Sequence, residues 1–549
     1  MVDALKDTAK KSQRGVRELL SAKGLKNESY WVANAVYVKG ATAAQAKEIA
    51  ELDGVTEVRA PRVYAQPEPV QSRTAAATAD GLEWGVANIN ADDVWQQYGK
   101  RGEDIVIANI DTGVQYDHPA LVGSYRGNNG DGTFTHDYNW YDPSGHCPSG
   151  APCDTHGHGT HTMGTMAGDD GQSNQIGVAP GVRWIAANGC ATCSDVDLAK
   201  SAQWMLAPTD ANGENPDVSK RPHIINNSWS SDVATDEPLL EEILTAWAAS
   251  GIFGVWANGN LGSACKTSGS PGSRTINYSV GAYDANNVIA PFSSRGPGQD
   301  GHTKPNISAP GSDVRSAIPG GYGIMSGTSM AAPHVSGAIA LLWSAFPGLV
   351  RDLEGTRTLL DNSAIDTADA QCGGPAEYNN VYGEGRLDAA ALLSVAQRGL
   401  GTLTGTVTDA GKPVKDAAVS VTGPTTRETT TDADGGYLLR LPSGEYQLTV
   451  KAFGYTDLTT TVTVAKDGSV TKDLSLVPVP RVAVSGTIKD GSGHGWPLHA
   501  KVTATDKDQH TWTAQTDPAT GGYVLEVLPD LDYTLNTAAV QPGYVPVTK

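Results

Sequence analysis

The 549-residue chain is too long for one core, and its composition (39% hydrophobic, 18% charged) is that of a folded protein of two to four domains. A net charge of −20 argues against nucleic acid as the main partner, and no apolar run reaches membrane-spanning length. With 63 Gly and 31 Pro against 5 Phe, many turns and close backbone approaches are expected.

Residues 1–75 carry 12 Lys and Arg against 9 Asp and Glu, a net +3 that leaves −23 on the remainder. The opening MVDALKDTAKKSQRGVRELL lacks the apolar stretch of a signal peptide, so the chain is either cytosolic or was exported on a signal since removed. Residues 4–22 have helical spacing (Leu5, Val16, Leu19, Leu20). A strand-like run at 30–38, an Ala-rich helix near 42–52 and a short strand at 55–59 follow. Together these predict a small α+β domain over 1–75, joined by an exposed Pro/Ala/Thr-rich linker to about residue 81.

From 82 to 398, short apolar runs at 105–110, 184–187, 223–226 and 252–257 are interleaved with helical segments at 197–206 and 238–250. Runs without alternation predict strands covered on both faces, hence a mostly parallel sheet flanked by helices in one α/β domain. The stretch 335–346 is apolar nearly all round and predicts a central buried helix. After Gly399 the texture turns to Thr, Val and Gly with period-two alternation, as in β-sandwiches. Two copies are visible, over 401–478 and 482–549. GTVTD at 405–409 returns as GTIKD at 486–490, GGYLL at 435–439 as GGYVL at 521–525, and EYQL at 445–448 as DYTL at 532–535. The second copy stops before the segment matching TTTVTV and KDLSL, so its last strand is expected to be missing.

All six cysteines lie between 147 and 372. An even count confined to one region predicts disulfides in an oxidising compartment, with the pairing open. The CxxC at 190–193 admits zinc, but a structural zinc site needs four ligands and no second CxxC exists.

Three segments carry chemistry. DIVIANIDTG at 104–113 is a buried strand ending in Asp111, at the end where parallel sheets open their crevice. HGHGTHTMGTMAG at 156–168 is rich in small residues that permit close helix packing; its three histidines invite a metal, yet the HEXXH pattern is absent. SGTSMAAPH at 326–334 leads into the buried helix, where Pro333 is expected in the first turn and Ser329 near the N-terminus. Taken singly, Asp111 and Ser329 would read as caps.

Together, DTG, HGTH and GTSMAxPH in this order resemble the subtilisin-like serine peptidases over residues 81–395. FSSRGP at 292–297, KPNISAPG at 304–311 and GRLDA at 385–389 agree, and INNSW at 225–229 looks closest to the bacillopeptidase F-like branch. The resemblance implies Ser329 as nucleophile, His158 as general base and Asp111 as the residue holding the imidazole. VWANGN at 255–260 aligns with the oxyanion strand and implies Asn260 as side-chain donor, with Asn258 the neighbouring alternative. Substrate is expected to lie as a strand along 228–231 (Ser228, Trp229, Ser230) and across Ala257, Asn258 and Gly259. Trp229 and Ser230 depart from the small aliphatic residue and Gly common there. Ala120 in HPAL replaces a frequent calcium-ligating Asp, and the loop before IGVAP at 176–180 is short, so the strongest calcium site of the family is expected to be absent, with other structural calcium left open. No cofactor is implied for the chemistry. Residues 28–66 resemble a subtilase propeptide and 401–549 resemble carboxypeptidase-regulatory sandwiches. The expectation is a secreted, monomeric serine endopeptidase zymogen acting on proteins or peptides, inhibited by its own propeptide, which is cut near 66–80.

Overall fold

The computed structural model describes residues 1–64, 69–75, 81–231, 233–235 and 240–548. The chain forms two compact units, Met1–Leu400 and Gly401–Lys549.

At the centre of the first unit, the apolar runs form a seven-stranded sheet in which every pairing is parallel. Its order is Ile307–Pro310, Tyr278–Tyr283, Phe253–Ala257, Ile224–Asn227, Val106–Ile110, Arg183–Ala187, Trp140–Tyr141. The chain enters at Val106–Ile110, moves one way to Arg183–Ala187, then returns to place Ile224–Asn227 on the other side. That reversal opens a crevice beyond the carboxyl ends of these two strands, where Asp111 and Ser228 follow. Ile107, Ala108 and Ile110 are at most 1% exposed, as expected of a strand covered on both faces. Such an Ile contributes roughly 1.5–3 kcal/mol by leaving water.

The helix Thr328–Ala345 runs through this core and is buried along nearly its whole length. Pro333 is its sixth residue, in the second turn and not the first. A Cβ on Gly337 would come within 2.5 Å of Val178, so only Gly permits that approach. In the helix His158–Ala167, a Cβ on Gly159 would lie 2.1 Å from Gly113 O and one on Gly164 2.3 Å from Ser316 Oγ. The small residues there do serve close packing.

The leader differs in detail from its sequence pattern. The run 30–38 is a hairpin, Asn27–Tyr30 against Ala35–Val38, because Asn34 turns the chain at φ +48°. Residues 4–22 divide into Val2–Ser12 and Arg14–Ala22, and 55–59 is not a strand. The helix Ala43–Ala50 starts on a capping box between Thr42 and Gln45. The stretch expected as an exposed linker is partly docked: Gln71–Ala75 pairs antiparallel with Gly321–Ser326.

The six cysteines close as Cys147–Cys153, Cys190–Cys193 and Cys265–Cys372. The CxxC therefore bridges itself.

In the second unit the first repeat is two packed sheets. Leu400–Asp409 pairs with Gly436–Pro442 on one side and with Ser469–Thr471 and Leu474–Ser475 on the other. Facing it, Thr426–Thr430, Ala418–Thr422, Gly444–Lys451 and Leu458–Val464 form the second sheet. The repeated glycines have the same physical cause in each copy. Gly405 and Gly486 lie under the rings of Tyr437 and Tyr523, where a Cβ would come within 2.8 Å. Gly435 and Gly521 have φ +72° and +69° and face the carbonyls of Val407 and Ile488. Among the described residues, Val482–Thr487 pairs only with Gly522–Val527, leaving Val482 and Val484 exposed.

Candidate active site

Asp111 and Ser228 leave adjacent strands, Asn258 and Asn260 follow Phe253–Ala257, and His158 and Ser329 begin helices that pack on the sheet. Five segments distant in sequence thus meet at one end of the sheet.

His158 Nδ1 lies 2.8 Å from Asp111 Oδ1, and both side chains are fully buried. Asp111 also accepts the Thr112 N–H at 2.8 Å. The turn into His158 is built by Asp154, whose carboxylate accepts from the backbone of His156, Gly157 and Thr160 and from the Thr112 and Thr160 hydroxyls. Burial raises the Asp154 pKa, opposed by these donors. Sequence reading passed over Asp154; its signal was the carboxylate four residues before a glycine-flanked histidine.

Ser329 is not a cap. Gly327 takes the N-cap position, and Ser329 is the second helical residue. Its hydroxyl donates to Ser228 O at 2.9 Å, while Ser228 Oγ donates to Ser329 O at 2.7 Å. Among the described residues His158 Nε2 is buried without a hydrogen-bond partner.

The two asparagines separate clearly. Asn258 is 0% exposed and belongs to the framework, donating to Ser294 O at 2.7 Å and accepting from Ser279 Oγ at 3.2 Å. Asn260 accepts both the N–H and the hydroxyl of Thr328 on Oδ1, each at 2.9 Å, which directs its amide nitrogen away from Thr328. A Cβ on Gly327 would lie 3.4 Å from Asn260 Nδ2, 3.6 Å from Ser329 N and 3.7 Å from Met330 Sδ. Those two nitrogens flank one small space.

Of the expected substrate-strand residues, Ser230 is partly exposed and lies beside Gly259, whose φ of +106° favours glycine. Trp229 is 3% exposed; its indole N–H donates to Ile110 O at 3.0 Å and its ring meets Trp256 edge-on. Ala257 is likewise buried, 2% exposed.

The histidines do not converge on a metal. His161 Nε2 is 3.0 Å from Val314 O, and complete burial lowers its pKa to about 3. Among the described residues no three His, Cys, Asp or Glu side chains are placed to share an ion.

The leader packs against this region. Tyr30 and Val32 are buried with Leu198, Ala202 and Trp204, and Glu28 pairs with Lys200 at 3.0 Å. Tyr64 N–H donates to Cys193 O and Asp195 N–H to Arg62 O, both at 2.9 Å. The expected cut at 66–80 falls largely outside the described residues.

Residues 102–385 match the model of the subtilase family, and 402–477 match the carboxypeptidase regulatory-like domain. Bacillopeptidase F of Bacillus subtilis (strain 168) is 35% identical over 437 residues, covering 75% of this chain but 30% of that protein. Subtilisin E of the same organism is 34% identical over 295 residues, covering 52% of this chain and 68% of its own length. The subtilisin of Bacillus pumilus is 33% identical over 295 residues, 94% of its length. With the family model spanning just over half of its residues, this chain belongs to the subtilase family.

Proposed function

We propose that the chain is a secreted serine endopeptidase, made as a zymogen and hydrolysing peptide bonds through an acyl-enzyme. The observation that carries this reading is the buried His158–Asp111 pair at 2.8 Å in the same crevice as Ser329. Ser329 Oγ leaves Ser228 O and turns to His158 Nε2, which takes its proton as the oxygen attacks the substrate carbonyl. Asp111 fixes the imidazole tautomer and stabilises the imidazolium. The tetrahedral oxyanion enters the space beside Gly327, taking hydrogen bonds from Asn260 Nδ2 and the Ser329 N–H. As second residue of its helix, Ser329 has no intrahelical partner for that N–H. His158 then returns the proton to the leaving amine, and water repeats the sequence on the ester. No cofactor is needed for these steps.

Substrate lies extended past Ser228 and Ser230 on one side and Gly259 on the other, with Trp229 as floor. The leader, with its net +3 and the β-bridge of Val63 to Ser194, serves as inhibitor until removed. The three disulfides support export, and the enzyme acts as a monomer. Casein hydrolysis tests the reading. A serine-directed fluorophosphonate and Ser329→Ala should each abolish it, and a chelator should not. Activity surviving in Ser329→Ala overturns the assignment.

A further inference from the structure

We propose that the vacant edge of the strand Val482–Thr487, in the second sandwich repeat, accepts an extended peptide strand from another polypeptide, running parallel to it and carrying an aspartate followed by a leucine. The proposal is independent of the peptidase reading.

The two repeats hold the same strand in different company. In the first, Leu400–Asp409 pairs on one side with Gly436–Pro442 and on the other, in parallel, with Ser469–Thr471 and Leu474–Ser475. In the second, among the described residues, Val482–Thr487 keeps the first kind of partner, Gly522–Val527, and has none on the other side. The repeated GTVTD and GTIKD place Val484 at Leu403, Thr487 at Thr406 and Lys489 at Thr408, and GGYLL and GGYVL place Tyr523 at Tyr437. Leu403 is 0% exposed, whereas Val484 is 38% exposed.

The first repeat shows what fills this edge. The Thr406 N–H and hydroxyl both donate to Asp473 Oδ1 at 2.9 Å, and the Tyr437 hydroxyl donates to Lys472 O at 2.6 Å. Lys472 N–H donates to Thr404 O at 2.7 Å. Leu474 and Leu476 follow, 7% and 2% exposed. The second repeat retains the receiving groups. Ile488 N–H donates to Gly521 O at 2.8 Å, as Val407 N–H does to Gly435 O, so the N–H of Thr487 points to the vacant side. Gly486 keeps the place of Gly405, where a Cβ would meet Lys472 O. Thr487 and Tyr523 line a cleft of about 630 Å³ with Ser485, Gln515 and Asp517. One exchange favours an acidic guest: Lys489 replaces Thr408, two residues beyond Thr487 and on the same side of the chain. Main-chain hydrogen bonds along the edge give affinity, and the aspartate and leucine positions give the choice.

The test uses the full chain with Ser329→Ala, so that the proposed nucleophile does not cleave the probe, and a labelled peptide of residues 468–478, GSVTKDLSLVP. Fluorescence anisotropy should show saturable binding, and hydrogen exchange should slow over 482–489. The peptide with Asp473→Asn should bind about three- to tenfold more weakly, the range of one hydrogen bond, and this arm needs no change in the protein. Thr487→Val and Tyr523→Phe preserve side-chain shape, and at an unchanged unfolding midpoint each should weaken the unaltered peptide by a similar factor. Lys489→Glu should weaken the Asp peptide more than the Asn peptide. Absence of saturable binding overturns the proposal. So does binding that ignores both the peptide's aspartate and the two protein variants. Protection confined to 228–231 and 257–260 would put the peptide in the crevice of Ser329 and overturn it too. Protection of 482–489 that rises with protein concentration, without peptide, would show a second copy on the edge and have the same result.

Discussion

Ser228 and Ser329 exchange hydrogen bonds: Ser228 Oγ donates to Ser329 O at 2.7 Å, and Ser329 Oγ to Ser228 O at 2.9 Å. The first bond answers a defect in the helix. Pro333 has no N–H for the carbonyl four residues earlier, which is that of Ser329, and Ser228 supplies the missing donor. Ser228→Ala should therefore leave a buried carbonyl unpaired and lower stability by about 1–3 kcal/mol in urea unfolding. Adding Pro333→Ala restores a backbone donor, so the double variant should recover much of the loss. Additive losses in that cycle would show that the serine is not acting for the proline.

On the proposed mechanism, turnover should depend on the hydroxyl of Ser329. Ser329→Ala should reduce kcat by several orders of magnitude with KM little changed. Because a triad acts as a unit, adding His158→Ala should reduce it little further. Steady-state kinetics on a chromogenic peptide decide the matter, and independent effects of the two variants would refute a shared role.

Asn260 and Asn258 should fail in different ways. Asn260→Ala is expected to lower kcat roughly 10²–10³-fold with KM nearly constant, a magnitude known from subtilisin's own asparagine rather than derived for this chain. Asn258→Ala breaks framework bonds to Ser294 and Ser279, so it should lower the unfolding midpoint more than kcat. Gly327→Ala would fill the space between Asn260 Nδ2 and Ser329 N, and should resemble Asn260→Ala in kcat. A kcat defect in Asn258→Ala with a normal Asn260→Ala would place the donor two residues earlier.

Much of the site was legible because its chemistry sits where strands end and helices begin, positions that turn residues and glycines mark in sequence. In sequence, the choice of Asn260 over Asn258 rests on the family motif alone, since both flank Gly259; their hydrogen-bond partners give it a physical basis. Trp229 read as a cleft residue by alignment. Strand alternation would have warned otherwise, because Ser228 and Ser230 share one face and Trp229 takes the other. The docked strand Gln71–Ala75 was hidden because it pairs through its backbone, so no apolar period betrays it. In the leader, Asn34 within an apolar run was an overlooked turn signal. The placement of Pro333 failed for a tertiary reason: its orphaned carbonyl is satisfied by a residue 101 positions away.

Glu83 predicts a pH dependence of stability. It is 9% exposed and accepts the Arg315 N–H at 3.1 Å, and burial raises its pKa from 4.5 to about 7 against the pull of Arg315. Below pH 4.5 the carboxyl is protonated whether the chain is folded or not, and its contribution is fully present. As pH rises through 7 the folded protein must ionise a buried group, and that contribution is lost. In a Ser329→Ala background, Glu83→Gln should flatten this decline and be more stable at pH 8 by up to about 3 kcal/mol. Parallel stability curves for the two proteins between pH 5 and 8 would rule the effect out.

The leader should be removed by the enzyme itself. Its hairpin is buried against Leu198 and Trp204, and residues 62–64 pair with the edge at Cys193–Asp195. Val70 is already paired at Ser326, three residues before Ser329. The peptide bonds between 64 and 70 connect these two stretches, so they are the bonds that self-processing is expected to cut. At 57.2 kDa over 549 residues, the loss amounts to about 7 kDa. Purified wild-type protein should shorten by that mass over hours, and the new N-terminus should begin between residues 65 and 70. Ser329→Ala should stay full length. Val32→Asp would put an unpaired charge into the contact with Trp204, so it should weaken inhibition and lower the yield of refolded enzyme. Intact-mass and N-terminal sequencing read the first result, and recovered activity after dilution from denaturant reads the second. Equal shortening of wild type and Ser329→Ala would assign the cut to another protease, and normal refolding of Val32→Asp would leave the leader without a folding role.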